Sequence, residues 1–175
     1  MIDEKEQTRL FDIYGTPDKV RRHCNAVTAC ALRLGQAFNA AGYALDLPLI
    51  EGAARVHDVA RTAEHHDEVG ADFLITQGYP EEAALVREHT RHPFHKLPEV
   101  DELDILCMAD RVVREDEYVG IDRRVDYLLG KMTMTDDRRE LLRALLGETK
   151  AYFAAIEEMI GVTFDELLGD VHAGE

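Results

Sequence analysis

This sequence predicts an all-α fold, a compact single-domain helical bundle, on three observations. Ala, Leu, Glu and Arg dominate and β-branched runs are short. No strand-type alternation of apolar and polar residues persists. Glycines and prolines fall where helical periodicity stops, which makes them punctuation between helices. Thr16-Pro17-Asp18 reads as a helix start, with Thr16 as N-cap, proline in the first turn and an acid near the positive end of the dipole. That helix is expected to reach Ala41 and stop at Gly42. A second is predicted over 47 to 61, with Pro48 near its start, and a third over 65 to 77, stopping at Gly78. Pro80 opens a fourth that ends at His89, before the breaker-rich stretch TRHPFHKLP. A fifth is expected over 99 to 114 and another over 122 to 131. Thr135-Asp136-Asp137 caps a long amphipathic helix to Ile160, and a short one covers Thr163 to Leu168. The chain, residues 1–175, shows no repeat, low-complexity segment or linker.

The bulk numbers bound the function classes. With 46% hydrophobic and 31% charged residues, the composition is that of a globular protein. No stretch approaches the roughly 18 consecutive apolar residues of a membrane helix, so no membrane partner is expected. The opening MIDEKEQTRL is too polar for a secretory signal. Cys24, Cys30 and Cys107 lie in apolar, helix-like runs without metal-site spacing and read as reduced core residues. A cytoplasmic location follows as the expectation. A net charge of −15 disfavours non-specific binding to nucleic acid. It leaves room for a small phosphate-bearing ligand, because bound cations make a pocket locally positive.

The informative step is to ask which ionisable residues occupy apolar helix faces. His23 lies on the stripe of Val20, Val27, Cys30, Leu34 and Phe38. His57 shares a face with Ile50, Ala53, Ala54 and Ala60, with Asp58 at its edge. His66 precedes Val69, Gly70 and Phe73 at helical spacing, and Leu85 and Val86 lead to His89. Leu103, Leu106 and Cys107 lead to Asp110, with Val113 one turn on. A lone histidine on such a face is usually a core residue bonded to a carbonyl. Asp110, however, sits well inside a helix, where an unpaired carboxylate is costly to bury. Five helices each offering an imidazole or carboxylate to the interior point to a shared metal site. Imidazole and carboxylate without thiolate suit Fe, Mn, Co, Ni or Zn.

His23, His57-Asp58 and Asp110 resemble the H…HD…D signature of HD-domain metal-dependent phosphohydrolases. "HDVAR" is similar to the HD-x-x-K segment of that family, "HDEVGADFL" to its H-x-x-x-G-A segment, "VREHT" to the helix ending in His-Thr, and "CMADRVV" to the helix bearing the last aspartate. The ordered set covers residues 14 to 115, the expected HD-domain core. It is most like the bacterial subgroup that includes diadenosine tetraphosphate hydrolases. The resemblance implies that His23, His57, Asp58 and Asp110 hold a first metal. Asp58, as a bridge, would hold a second with His66 and His89. Asp58, His66 and His89 are thereby the catalytic candidates. Arg61 stands where lysine is common, which keeps the charge and changes the donor geometry. Residues 116–175 match no motif and are expected to complete the bundle or to form a lid or a homodimer surface.

The implied reaction is attack of metal-bound hydroxide on phosphorus in a nucleotide or other phosphate-containing metabolite, with one or two divalent transition-metal ions as cofactor. Arg61, Arg91, His92, His95, Lys96, Arg111 and Arg114 are available to orient phosphate. Of these, Arg61 and Arg111 adjoin the expected ligands and are the substrate-binding candidates. Two alternatives stay open: a mixed-valence di-iron oxygenase built on the same ligand pattern, and a module that binds metal and nucleotide without turnover. The pair His66-Asp67 repeats the dipeptide His57-Asp58, but only His66 is expected to coordinate, with His65 and Asp67 solvated.

Overall fold

The computed structural model describes residues 1–131 and 136–172. It is helical nearly throughout, as the sequence predicts: α1 (Glu4–Tyr14), α2 (Asp18–Ala40), α3 (Leu47–Val56), α4 (His66–Thr76), α5 (Pro80–Glu88), α6 (Glu102–Val112), α7 (Gly120–Lys131), α8 (Asp136–Ile160) and α9 (Phe164–Leu168). A two-residue antiparallel pair, β1 (Val113–Arg114) and β2 (Glu117–Tyr118), separates α6 from α7. No described helix is long and apolar enough to cross a membrane.

The stripe predicted on α2 is buried from Val20 to Phe38. Two apolar clusters organise the packing. In one, the C-terminal half of α2 meets α3, α6 and the Phe153, Ile156, Phe164 and Leu168 side chains of α8 and α9. In the other, Ile2, Leu10 and Phe11 meet Val20, Cys24, Val56, Val59 and the inner faces of α4 and α5. Along α2, His23 stands where the stripe passes from one cluster to the other. His57-Asp58 does the same at the end of α3. The three cysteines are free and buried, as expected.

Several boundaries differ from the sequence expectation, each for a local reason. The polar N-terminus forms α1, capped by Asp3, whose carboxylate accepts from Glu6 N at 2.8 Å, and closed by Gly15 at φ 82°. Thr16 does not cap α2. Its hydroxyl donates to Val59 O at 2.7 Å instead, tying the entry of α2 to the turn after α3. That turn is the second correction. The second predicted helix stops at Val56, and 57 to 63 coil more tightly through Val59 N→Val56 O, Arg61 N→Asp58 O and Ala63 N→Ala60 O bonds. The fifth begins at Glu102, because Asp101 and Asp104 form a capping box there, and gives way to β1 at Val113. The expected Thr135 cap lies outside the described residues; Thr163 caps α9 reciprocally with Glu166.

Candidate metal centre

Five segments bring the six expected ligands together. The mouth is a pocket of about 650 Å³ lined by His23, Asp58, His66, His89 and Asp110, with Arg61 and Arg111 at its edge. His57 lies beneath them, fully buried.

Two of the histidines are fixed by the same local device. At the C-terminal end of α3, His57 Nδ1 lies 2.9 Å from Ala54 O, three residues back. At the end of α5, His89 Nδ1 lies 2.6 Å from Val86 O. A ring nitrogen that faces a carbonyl must carry the proton, which leaves Nε2 as a lone-pair donor pointing inward. His23 is held similarly by Nδ1 at 2.8 Å from Glu115 O, where the chain turns between β1 and β2 with φ 57°. Sequence periodicity identified His23 but gave no signal for this carbonyl, which comes from a tight turn of two polar residues.

The inward atoms converge on two carboxylates. His66 Nε2 and His89 Nε2 lie 3.2 and 3.6 Å from Asp58 Oδ1. His57 Nε2 and His23 Nε2 lie 3.8 and 3.9 Å from Asp58 Oδ2. Asp110 closes the far side, with Oδ1 at 3.1 Å from His23 Nε2 and 3.7 Å from His57 Nε2. The donor atoms of His23, His57 and Asp58 lie within 4.8 Å of one another, as do those of Asp58, His66 and His89. Asp58 alone belongs to both groups.

Burial opposes the charge on Asp58, but His57, then His66 and His89, outweigh it and hold the carboxyl far below its usual range. The same competition, won by His23 and His57, holds Asp110 well below its range. Both are therefore ionised. His57 Nε2 is buried without a hydrogen-bond partner. A buried ring nitrogen that faces two carboxylates and completes a hydrogen bond to neither is an unfavourable arrangement that a cation between them relieves. The donor set is nitrogen and oxygen throughout. Cys107 lines the pocket, but burial pushes its thiol up to about 12, and it donates to His89 O at 3.3 Å. The residues present could hold a metal ion.

Arg61 reaches back over the centre, with Nε 3.3 Å from Asp58 Oδ2 and Nη1 3.1 Å from His66 Nε2. Arg111 is stacked at 4.0 Å on the Phe94 ring and donates to His92 O at 3.1 Å. Of the other phosphate-orienting candidates, His92 and His95 turn away from the pocket to Asp104. Arg114 stacks on Tyr127, Arg91 approaches Asp67 and Glu68, and Lys96 is exposed outside the pocket.

The expectation for Asp67 fails. It is 3% exposed, not solvated, and accepts from Thr90 Oγ1 at 2.5 Å and from Glu68 N at 3.0 Å. It joins the start of α4 to the end of α5 and so sets His66 beside His89. His65 is exposed, at φ 54°. The glycine of the H-x-x-x-G-A segment has a packing reason: a Cβ on Gly70 would meet Val59 Cγ1 at 3.3 Å, in the wall behind the centre.

No protein-family model matches the chain, and no solved structure does. An uncharacterized protein of Methanocaldococcus jannaschii, MJ0778, is similar. It is 30% identical over 136 residues, which span 65% of this chain and 79% of the archaeal one.

Proposed function

The chain belongs to the family of that archaeal protein, and from the centre it carries we propose that it is a metal-dependent phosphohydrolase acting on a nucleotide or another small phosphate-containing metabolite. The observation that carries the reading is Asp58. Its carboxylate is common to two histidine-containing donor groups, one of which includes the unpartnered Nε2 of His57. Such a shared carboxylate suits a pair of ions more than a single one.

Bound ions would supply Lewis acidity, lowering the pKa of water toward neutrality and offsetting phosphoryl charge. His23, His57, Asp58 and Asp110 would hold one, and Asp58, His66 and His89 the other. The rest belongs to the chain. In a protein of net charge −15, the pocket carries five basic side chains, Lys19, Arg22, Arg61, Arg111 and Arg124. They face two acids besides the cluster aspartates, Glu115 and Asp116, and Arg22 is paired with Asp116 at 3.1 Å. This local balance favours an anionic ligand. Arg61 is half-exposed and within reach of Asp58, so it can exchange that carboxylate for a phosphate oxygen. Arg111 is already oriented by Phe94 and the His92 carbonyl, which lowers the cost of holding a second oxygen. The buried thiols of Cys24, Cys30 and Cys107 support a reducing, cytoplasmic setting.

The test is hydrolysis by the protein loaded with Mn, Co or Zn, assayed without dioxygen, read as free phosphate from phosphomonoesters and mononucleotides and as nucleotide products from dinucleoside polyphosphates. Turnover by the wild type and none by Asp58→Ala is expected. Equal release by both, or turnover that requires iron and dioxygen, would overturn the reading.

A further inference from the structure

A second cluster of histidines and aspartates lies away from the pocket, where the loop after α5 meets the first turn of α6. His92 Nε2 is 2.8 Å from Asp104 Oδ1, and His95 Nδ1 is 2.9 Å from Asp104 Oδ2. Asp101 Oδ2 lies 3.5 Å from His95 Nδ1. One donor atom from each of these four residues lies within 4.8 Å of the other three. The two rings approach edge to face, 5.0 Å between centroids.

The cluster has a floor and a rim. The Asp104 side chain is fully buried and that of His92 is 9% exposed, whereas those of His95 and Asp101 are 44% and 45% exposed. An ion can therefore enter from solvent and meet donors that are already in place. The floor is rigid, since Asp104 also accepts from His95 N and Asp101 N, each at 3.0 Å, as part of the capping box of α6. The sequence supplies the pairs at short spacing, His92-x-x-His95 and Asp101-x-x-Asp104.

We propose that His92, His95, Asp101 and Asp104 form a separate, structural divalent-cation site, of the two-nitrogen, two-oxygen kind that suits Zn²⁺ and accepts Co²⁺. The inference is independent of the reading of the pocket. Two imidazole nitrogens converging on one buried carboxylate are either joined to it through protons or joined to it through a cation. When the cation enters, the ring nitrogens facing Asp104 become lone-pair donors. A neutral ring keeps its one proton on the other nitrogen, Nδ1 of His92 or Nε2 of His95, and a charged ring releases one to water. The ion would clamp the 92–95 turn onto α6. Phe94, in that turn, stacks on Tyr152 of α8 at 5.0 Å, and Tyr152 Oη donates to His95 O at 2.7 Å. Arg111 rests on Phe94 and on the His92 carbonyl. The site thus secures the loop that positions Arg111, without touching the pocket centre.

The experiment counts cations bound to the chelator-stripped full chain in buffered Zn²⁺ by native mass spectrometry, with calorimetry for affinity. The double variant His95→Ala, Asp101→Asn removes one rim ligand and the charge of the other, while asparagine keeps an accepting oxygen at the N-cap, so the start of α6 and the fold are retained. It is expected to bind one cation fewer than the wild type, and the single variant His95→Ala to bind that cation roughly 10–100-fold more weakly. With Co²⁺, the variant Asp58→Asn is expected to keep a tetrahedral absorption band that disappears when His95→Ala and Asp101→Asn are added. Equal cation counts for wild type and the double variant, or loss of every band in Asp58→Asn alone, would overturn the proposal.

Discussion

Two aspartates each gather imidazoles, and they do so on opposite terms. Asp104 is served by the stretch of chain just before it, through His92, His95 and two backbone N–H groups at 2.8–3.0 Å. Every contact it makes is of hydrogen-bond length, and it doubles as a helix cap. Asp58 is met by side chains from α2, α4, the ends of α3 and α5, and Arg61, at 3.2–3.9 Å. Most of those distances are too long for hydrogen bonds, and His57 Nε2 has no partner. A carboxylate satisfied by its own neighbourhood fixes local structure. One surrounded by inward-facing nitrogens that do not quite reach it is arranged around something else. The comparison separates donor atoms left around a gap from a knot already closed by hydrogen bonds, although both use the same residue types.

The largest effect that sharpens this contrast is expected at Asp58. The variant Asp58→Asn should lose phosphate release to background and lose metal from both donor groups, as read by elemental analysis, while circular dichroism stays helical. Asp67→Asn comes next and should act only on stability. It removes a buried charge-assisted bond to Thr90, costing about 2 kcal/mol in denaturant unfolding, with the metal count unchanged. If Asp67→Asn instead empties the centre, the α4–α5 tie is itself a ligand position. Arg61→Lys keeps the charge and loses the planar fork. We expect KM for a phosphoester to rise by roughly tenfold, on the order of one good hydrogen bond, with metal content intact.

The smallest effect is a control outside both clusters. The hydrogen bond from Arg9, opposed by burial and joined by the Tyr79 hydroxyl, lowers the Glu6 carboxyl from 4.5 to about 2. A carboxyl lowered on folding adds stability above its unfolded value, and that gain is lost as pH falls through the folded value. The difference in urea midpoint between wild type and Glu6→Gln should therefore be constant above pH 4.5 and vanish as pH falls toward 2. A difference that shrinks only above neutrality would contradict the assignment.

Much of this was legible in the sequence. The α2 stripe, the α4 and α5 ends at Gly78 and His89, and the interior position of Asp110 follow from helical period and breakers, because tertiary packing and local propensity agree there. The end of α3 was not legible. Its tighter coil depends on Val59 O accepting from Thr16, a partner 43 residues away. The α1 helix was hidden because only Gln7, Leu10 and Phe11 are buried in it, too few to stand out from a polar stretch. The convergence of the six residues was legible because most of them interrupt an apolar face and Asp58 lies at the edge of one, although Val69, on the face read for His66, is exposed. The role of Asp67 was missed because its burial depends on Thr90, and helical period alone gives its side no reason to be covered. Of the Asp104 knot, His92 and His95 lay in the breaker-rich stretch, where no periodicity marks one side chain against another, and Asp101 and Asp104 fell inside the helix expected over 99 to 114 without being singled out.

The most direct test of the central claim is anomalous diffraction from crystals grown with Mn²⁺ and Zn²⁺. The account predicts a pair of anomalous peaks flanking Asp58, one among His23, His57 and Asp110 and the other beside His66 and His89. A peak confined to Asp104, with none beside Asp58, would contradict it.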